Sequence, residues 1–330
     1  MLANLIFTLA ISFPIFLNCQ SKFIKLDGSS TVFLVSEAVA EEFGKVQKDV
    51  KVTVGISGTG GGFQKFCAGE IDINNASRPI KKVEMEACNS KGVQYIELPV
   101  AYDAISIIVN KKNTWLEEIT LENLKKIWQP QSQQTVKLWS DLNPAWPKEE
   151  LKLFGAGVDS GTFDFFTEVV VGKSGSSRSD YNSSEDDNVI VQGVAREIYS
   201  LGYVGLAYYE QNKDKLKVVP LRLSEDELIM PNRQNVLNGT YKFLSRPLFI
   251  YVNVSALKKP HVKDFIDFYL KNAPKLADEV GYIRLSDELY SLARKRVENV
   301  VVGSVFEGEG YKGGKKLEDL YASLTPQNNP

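Results

Sequence analysis

The chain has 330 residues, of which 43% are hydrophobic and 24% are charged, and its formal net charge is -2. This length exceeds the size at which one hydrophobic core usually keeps growing, so we expect two domains. The charge balance excludes a basic surface for nucleic acid, and the one histidine and three cysteines are not clustered as a zinc site requires, so we predict no metal and no cofactor.

The first predicted element is an export signal. Residues 1–18 are apolar and uncharged, and the run 5–17 is too short for a membrane span but suits the h-region of a signal peptide. Pro14 argues against the alternative, a buried N-terminal helix. We therefore expect a leader over residues 1–19 and a periplasmic or extracytoplasmic location. Whether Cys19 carries a lipid, which would be the only link to a membrane, stays open.

Strands and helices alternate after the leader. Strands are predicted at 23–26, 50–54, 71–73, 95–100, 105–109, 151–154, 204–209 and 247–252, the last returning the chain to the first domain. Helices are predicted at 32–43, 63–68, 116–128, 162–171, 190–201, 260–273 and 286–297, with a long polar loop at 172–187. This order of elements predicts an α/β fold with a mostly parallel sheet.

Cys67 and Cys88 are the two cysteines that remain after the leader. An even pair in an oxidising compartment favours a disulfide, and two buried free thiols are the alternative. The bond would close a loop of about 20 residues, which the chain-entropy model values at roughly 3 kcal/mol.

Three Gly/Ser/Thr turns each follow a predicted strand and precede a predicted helix. They cover residues 28–31, 57–62 and 157–162. Helix N-termini have unpaired N–H groups and a partial positive charge, so they attract anions. One such turn is ordinary helix capping. Three of them at the carboxyl ends of strands predict an anion cradle.

These turns, with their neighbours, resemble the substrate-binding proteins of high-affinity phosphate ABC transporters. The resemblance covers residues 26 to about 300. The segments that match are 27–31 (DGSST), 55–63 (GISGTGGGF), 72–80 (DINNASRPI), 159–163 (DSGTF), 185–188 (EDDN) and 202–209 (GYVGLAYY).

The resemblance implies a type II periplasmic-binding-protein fold, with two α/β lobes joined by two crossover strands and phosphate in the cleft between them. Lobe I is expected at residues 20–105 plus 254–330, and lobe II at 106–253. The implied activity is capture of inorganic phosphate and its delivery to the permease subunits of an ABC transporter, without catalysis. We expect a monomer.

Matching the motifs residue by residue implies that phosphate contacts all three turns, and hence both lobes, so that the ligand favours a closed state. The implied ligand residues are Ser30, Thr31, Val32, Ser57, Ser160, Gly161 and Thr162.

Two positions depart from the family's pattern. Ser77 stands where that pattern has a carboxylate, and residues 155–157 lack its arginine. We expect Arg178 or Arg78 to supply the positive charge, with a surface salt bridge as the alternative for either. We expect Asp103 to replace the carboxylate, because phosphate near neutrality bears a proton that needs an acceptor and sulfate does not. A merely structural Asp103 is the alternative.

Three other functions compete with phosphate transport. The cleft could bind another tetrahedral oxyanion, such as sulfate or molybdate. A phosphoester hydrolase would use Ser160 as nucleophile, but no base or cluster of metal ligands lies near it in the sequence. An adhesive or signalling surface protein could also have kept this fold.

Overall fold

The structure is a computed structural model that describes residues 22–158, 160–184, 186–308 and 316–324. The predicted leader and Cys19 lie outside these residues. Among the described residues, no helix is both long enough and apolar enough to cross a membrane.

The strands, in chain order, are β1 (Lys22–Gly28), β2 (Val50–Val54), β3 (Ile73–Ala76), β4 (Tyr95–Asn110), β5 (Ile119–Thr120), β6 (Lys152–Ala156), β7 (Asn182–Ser184), β8 (Ser200–Gly205), β9 (Leu216–Val218), β10 (Leu221–Ser224), β11 (Glu227–Ile229) and β12 (Ser245–Asn253). The helices are α1 (Ser30–Val46), α2 (Gly58–Cys67), α3 (Lys82–Ser90), α4 (Leu121–Trp128), α5 (Ser132–Thr135), α6 (Gly161–Val170), α7 (Asp187–Arg196), α8 (Leu206–Gln211), α9 (Arg233–Leu237), α10 (Pro260–Glu279), α11 (Asp287–Glu298) and α12 (Leu317–Leu324).

Two groups of strands share the long strand β4. The first group has the order β2-β1-β3-β12-β4, in which β1 runs parallel to β2 and β3, and β12 runs antiparallel to β3 and β4. The second group is β4-β8-β6-β7, with β9 also paired to β4. The partner of β4 changes from β12 to β8 between Ala104 and Ile105. The predicted α/β fold is therefore confirmed, with β4 running through both groups of strands, but the sheet is mixed and not mostly parallel, because every pairing of β4 and β12 is antiparallel.

The helix that was predicted from the spacing of its apolar residues has the expected buried face. Val32, Val35, Val39 and Phe43 are at most 2% exposed and form one face of α1. That face packs against α10, where the Phe43 and Phe265 rings meet edge to face at 5.2 Å. Burial of such a stripe stabilises an amphipathic helix more than its intrinsic propensity does.

Three predicted elements differ from the observed ones. The runs at 95–100 and 105–109 are one continuous strand, β4. Residues 206–209 were predicted as strand but begin α8, because β8 ends at Gly205, which is the N-cap of that helix. A short apolar run does not by itself distinguish strand from helix. The helix predicted at 190–201 ends at Arg196, and its last residues already belong to β8.

The predicted disulfide is confirmed. Cys67 at the end of α2 is bonded to Cys88 in α3, with a Cα–Cα distance of 4.4 Å. The bond links two helices of the first strand group, next to the segment that contains Ser77 and Arg78.

Glu97 on β4 is fully buried and receives hydrogen bonds from three distant parts of the chain. Its carboxylate accepts from Tyr251 Oη at 2.6 Å, from Tyr321 Oη at 3.1 Å and from the Val305 amide at 3.0 Å. Burial raises the pKa of Glu97 above its ordinary value, although these donors and Arg296 oppose the shift. The carboxyl group thus joins the C-terminal segment to the core.

A raised pKa in the folded state gives a stability contribution that is present below the unfolded pKa and is lost as pH rises through the folded pKa. We therefore expect the free energy of unfolding of wild type to fall relative to Glu97→Gln as pH rises above about 4, the ordinary range of glutamate, by about 1.4 kcal/mol for each unit of pKa difference. Urea unfolding of both proteins over this rise in pH measures it. Parallel pH profiles would show that burial does not control the ionisation of Glu97.

Candidate functional site

The N-termini of α1 and α2 lie side by side and are left open. Ser29 and Ser57 occupy their N-cap positions, but neither side chain makes a capping hydrogen bond. The Ser57 hydroxyl donates instead to Asp27 Oδ1 at 2.5 Å. The amide groups of both first turns are therefore not used by their own N-cap side chains and can donate to an anion.

The N-terminus of α6 meets that of α1 from the second strand group. A Cβ atom placed on Gly161 would lie 2.3 Å from Thr31 Oγ1 and 2.9 Å from the Thr31 Cα. Only a glycine fits at this distance, since Cβ contacts below about 3 Å do not occur. Unlike the other two turns, α6 is capped, with the Ser160 hydroxyl accepting from the Thr162 amide at 3.1 Å. The predicted first and third turns are thus in direct contact.

Arg246 on β12 lies at the junction of these two turns. Its Nη2 donates to Thr31 Oγ1 at 3.0 Å and to the Gly161 carbonyl at 3.4 Å. The guanidinium also lies over the Phe165 ring, 4.0 Å from the ring centroid. The arginine side chain is 14% exposed. A partly desolvated guanidinium with remaining donors is a strong site for an oxyanion.

Asp103 on β4 stands directly across the strand pair from Arg246. The two residues are register partners, and Arg246 Nε lies 3.4 Å from Asp103 Oδ2. Asp103 is 1% exposed. Burial raises the pKa of this carboxyl group, and the charge of Arg246 opposes the rise. The site therefore combines a permanent cation with a buried group that can accept or hold a proton.

A cleft of about 600 Å³ opens beside this junction. Its walls come from the first turns of α1 and α2, the end of β3, the flank of α6 and the segment that leads into β12. The lining residues most relevant to an anion are Ser30, Thr31, Thr59, Ser77, Arg78 and Arg246.

The structure brings some of the predicted ligand residues to this cleft and gives others different surroundings. Ser30 and Thr31 line it. The Val32 side chain belongs to the core at 0% exposure, so only its amide is available to a ligand. Ser57 faces Asp27, as described above. Ser77 lines the cleft and its hydroxyl pairs with Thr59 Oγ1 at 3.1 Å.

Neither arginine expected from the sequence is in the position that Arg246 occupies. Arg178 is 4% exposed and is not among the cleft-lining residues. Its guanidinium pairs with Asp180 and donates to the carbonyls of Ile127 and Val136. Its charge and its N–H donors are therefore used to hold these segments together. The structure therefore corrects the placement expected for Arg178.

Arg78 does line the cleft, but it pairs with Glu84 through two hydrogen bonds of 2.9 and 2.7 Å. Arg246 is also paired, with Asp103, but it reaches Thr31 and Gly161 as well, which makes it the principal cation of the turn junction. A signal for Arg246 existed in the sequence: it directly precedes a predicted crossover strand, and Asp103 lies at the other one. Two antiparallel crossover strands can place such residues opposite each other.

Known proteins are similar to this chain in sequence and fold. The model of the PBP superfamily domain matches residues 18–273. Protein SphX of Synechococcus elongatus is 49% identical over 303 residues, covering 92% of this chain and 89% of that protein. The phosphate-binding protein PstS of Staphylococcus saprophyticus is 41% identical over 279 residues, covering 84% and 85%.

Among solved structures, one described as a possible phosphate binding protein from Planctomyces limnophilus is 44% identical, with a TM-score of 0.80, and covers 85% of this chain and 99% of that one. The expected periplasmic-binding-protein fold is thus confirmed, and so is the family resemblance. This chain belongs to the PBP superfamily, in the group that includes SphX and the phosphate-binding proteins PstS.

Proposed function

We propose that this protein binds inorganic phosphate outside the cytoplasm and delivers it to the permease of an ABC transporter. The observation that supports this most is the meeting of three helix N-termini with Arg246 at one cleft. The names of the relatives with 49% and 41% identity, SphX and the phosphate-binding protein PstS, agree with this proposal.

The proposed ligand groups are the open amides of α1 and α2, the hydroxyls of Ser30 and Thr31, the α6 turn at 160–162, and Arg246. Asp103 is the proposed acceptor for the phosphate proton. Positive ends of helices and a guanidinium favour an oxyanion of any kind, whereas a carboxylate acceptor favours one that is protonated. The acceptor therefore gives the selectivity over sulfate.

We further propose that the chain moves as two lobes about β4 and β12, with the boundaries at 105/106 and 253/254. The contact of Gly161 with Thr31 supports this, because it joins turns from the two strand groups as a closed state would require. No catalytic step is proposed. Export by the leader, the monomeric state and the open question of a lipid on Cys19 belong to the same proposal.

Titration calorimetry on the mature chain, from Gln20 onward and freed of co-purified ligand, tests the function. We expect tight one-to-one binding of phosphate that excess sulfate and molybdate do not displace. Tight binding of sulfate or molybdate instead would change the ligand and keep the site. Folded protein that binds none of the three would refute the proposal.

Because the proposed closed state brings Gly161 against Thr31, adding a single methyl group at Gly161 should have a strong effect on phosphate binding. We expect Gly161→Ala to weaken phosphate binding about tenfold, because the added Cβ would lie 2.3 Å from Thr31 Oγ1 and overpacking of this kind costs about 1–3 kcal/mol. Gly44→Ala on α1, where nothing lies within 4 Å of the added Cβ, is the matched control. Calorimetry measures both, and equal affinities would contradict the closed contact.

A further inference from the structure

We propose that Asn74 is a positioning residue that sets the spacing between the anion-binding turns of α1 and α2. The inference rests on the proposed function, because its consequence is the affinity of those turns for phosphate. Asn74 is 0% exposed and its side chain packs against the backbone of both turns, so its effect on the anion would pass through the turns.

Asn74 lies directly behind both turns. It sits within β3, next to the end of β1, with Asp27 as its register partner. A Cβ on Gly28 would lie 2.6 Å from Asn74 Oδ1, and a Cβ on Gly62 would lie 2.0 Å from the same atom. The Asn74 carboxamide therefore fills the space that these two glycines leave, and it packs against the backbone of both turns.

The polarity of Asn74 needs an explanation beyond packing. Within the part of the chain that the structure describes, neither its Oδ1 nor its Nδ2 has a hydrogen-bond partner. The neighbouring Asn75 also has an unpartnered Nδ2, but its Oδ1 accepts from the Ser36 hydroxyl at 2.8 Å and its carbonyl accepts from the Ser29 amide at 2.9 Å. An unpaired buried amide is unfavourable, and an apolar side chain would avoid that penalty if only packing mattered.

The geometry of the turns explains the volume of the Asn74 side chain, as distinct from its polarity. The Gly62 Cβ position is also 2.6 Å from the Gly28 Cα, so the two turns touch each other across Asn74. Donors that bind an anion must be held within about 0.5 Å of their working positions. Shortening residue 74 would leave a void behind both turns, and they would relax into it.

The test compares Asn74→Ala with Ser36→Ala, which removes a buried hydrogen bond to Asn75 beside α1 but leaves the space behind the turns filled. Both proteins are titrated with inorganic phosphate, and amide hydrogen exchange is followed at residues 29–31 and 58–60. For Asn74→Ala we expect the phosphate Kd to rise about tenfold and exchange to quicken in both turns. For Ser36→Ala we expect lower stability with a Kd within about twofold of wild type.

A second variant asks whether the volume of the side chain is the cause. Asn74→Leu keeps a branched side chain of similar length behind the turns and removes its polar atoms. We expect its phosphate Kd to lie much closer to that of wild type than the Kd of Asn74→Ala does. Asn74→Ser replaces Asn74→Ala if the latter does not yield folded protein.

Three results would overturn the proposal: a Kd for Asn74→Ala within about twofold of wild type, unchanged exchange at both turns, or a Kd for Asn74→Leu as high as that for Asn74→Ala. If wild type itself fails to bind phosphate, the proposed function fails. The exchange measurements still decide the role of Asn74 in that case, since they need no ligand.

Discussion

Replacing Arg246 with alanine is expected to weaken phosphate binding more than any other single change in the cleft. Arg246 joins Thr31, Gly161 and Asp103 in one cluster, and its removal takes away the principal cation of the turn junction. Truncating one partner of a buried, hydrogen-bonded charge pair costs about 2–5 kcal/mol, so we expect the Kd to rise between about 30-fold and about 3,000-fold. Calorimetric titration with phosphate measures the change.

Two controls separate charge from geometry. Arg246→Lys keeps the positive charge but loses the planar set of donors that reaches Thr31 and Gly161 together, so we expect an intermediate Kd. Arg284→Ala removes a half-exposed arginine whose nearest acid, Asp287, is 3.8 Å away, and should leave phosphate binding unchanged. If Arg246→Ala and wild type bound phosphate equally tightly, Arg246 would not be a ligand residue and Arg78 would be the next candidate.

Replacing Asp103 with asparagine is expected to reduce the selectivity for phosphate over sulfate. The buried carboxylate can accept the phosphate proton, and it repels an anion that has no proton to donate. A hydrogen bond to a charged group is worth about 1.5–3 kcal/mol, so we expect the ratio of the two Kd values to fall about 10- to 100-fold. Competition titrations with sulfate against bound phosphate measure this ratio.

The same substitution should change the pH dependence of selectivity. Burial raises the pKa of Asp103, so in wild type the carboxylate form, and with it the discrimination against sulfate, increases as pH rises through the folded-state pKa. In Asp103→Asn the part of this rise that comes from the carboxyl group should be absent, and dividing the wild-type ratio by the variant ratio at each pH removes the effect of phosphate titration, which both proteins share. A quotient that stays level with pH, or a variant as selective as wild type, would show that Asp103 serves only to hold Arg246.

Local features of the sequence were sufficient to predict many structural elements of this protein. The spacing of Val32, Val35, Val39 and Phe43 predicts α1, because one face of a helix repeats every 3.6 residues. The turn at 157–162 predicts the start of α6 to within one residue, whereas the glycines at 58–62, predicted to precede a helix at 63–68, form the first turns of α2 itself. The pairing of Cys67 with Cys88 followed from their number and compartment. These properties depend on neighbours along the chain, or on a choice among very few partners.

The position of the cation was decided by tertiary structure. Arg178, Arg78 and Arg246 all lie beside small or polar residues, and although Arg246 directly precedes a predicted crossover strand, that position does not show which groups it contacts. Arg246 reaches the turns because β12 returns antiparallel to β4 and places it opposite Asp103, 143 residues away in the chain. Arg178 is held by carbonyls of a distant segment. The sequence by itself therefore determined several helix starts, the strand spacing and the apolar face of α1. Which charged groups share the cleft was settled only by strand register and lobe contact, because those bring together residues that are far apart in the chain.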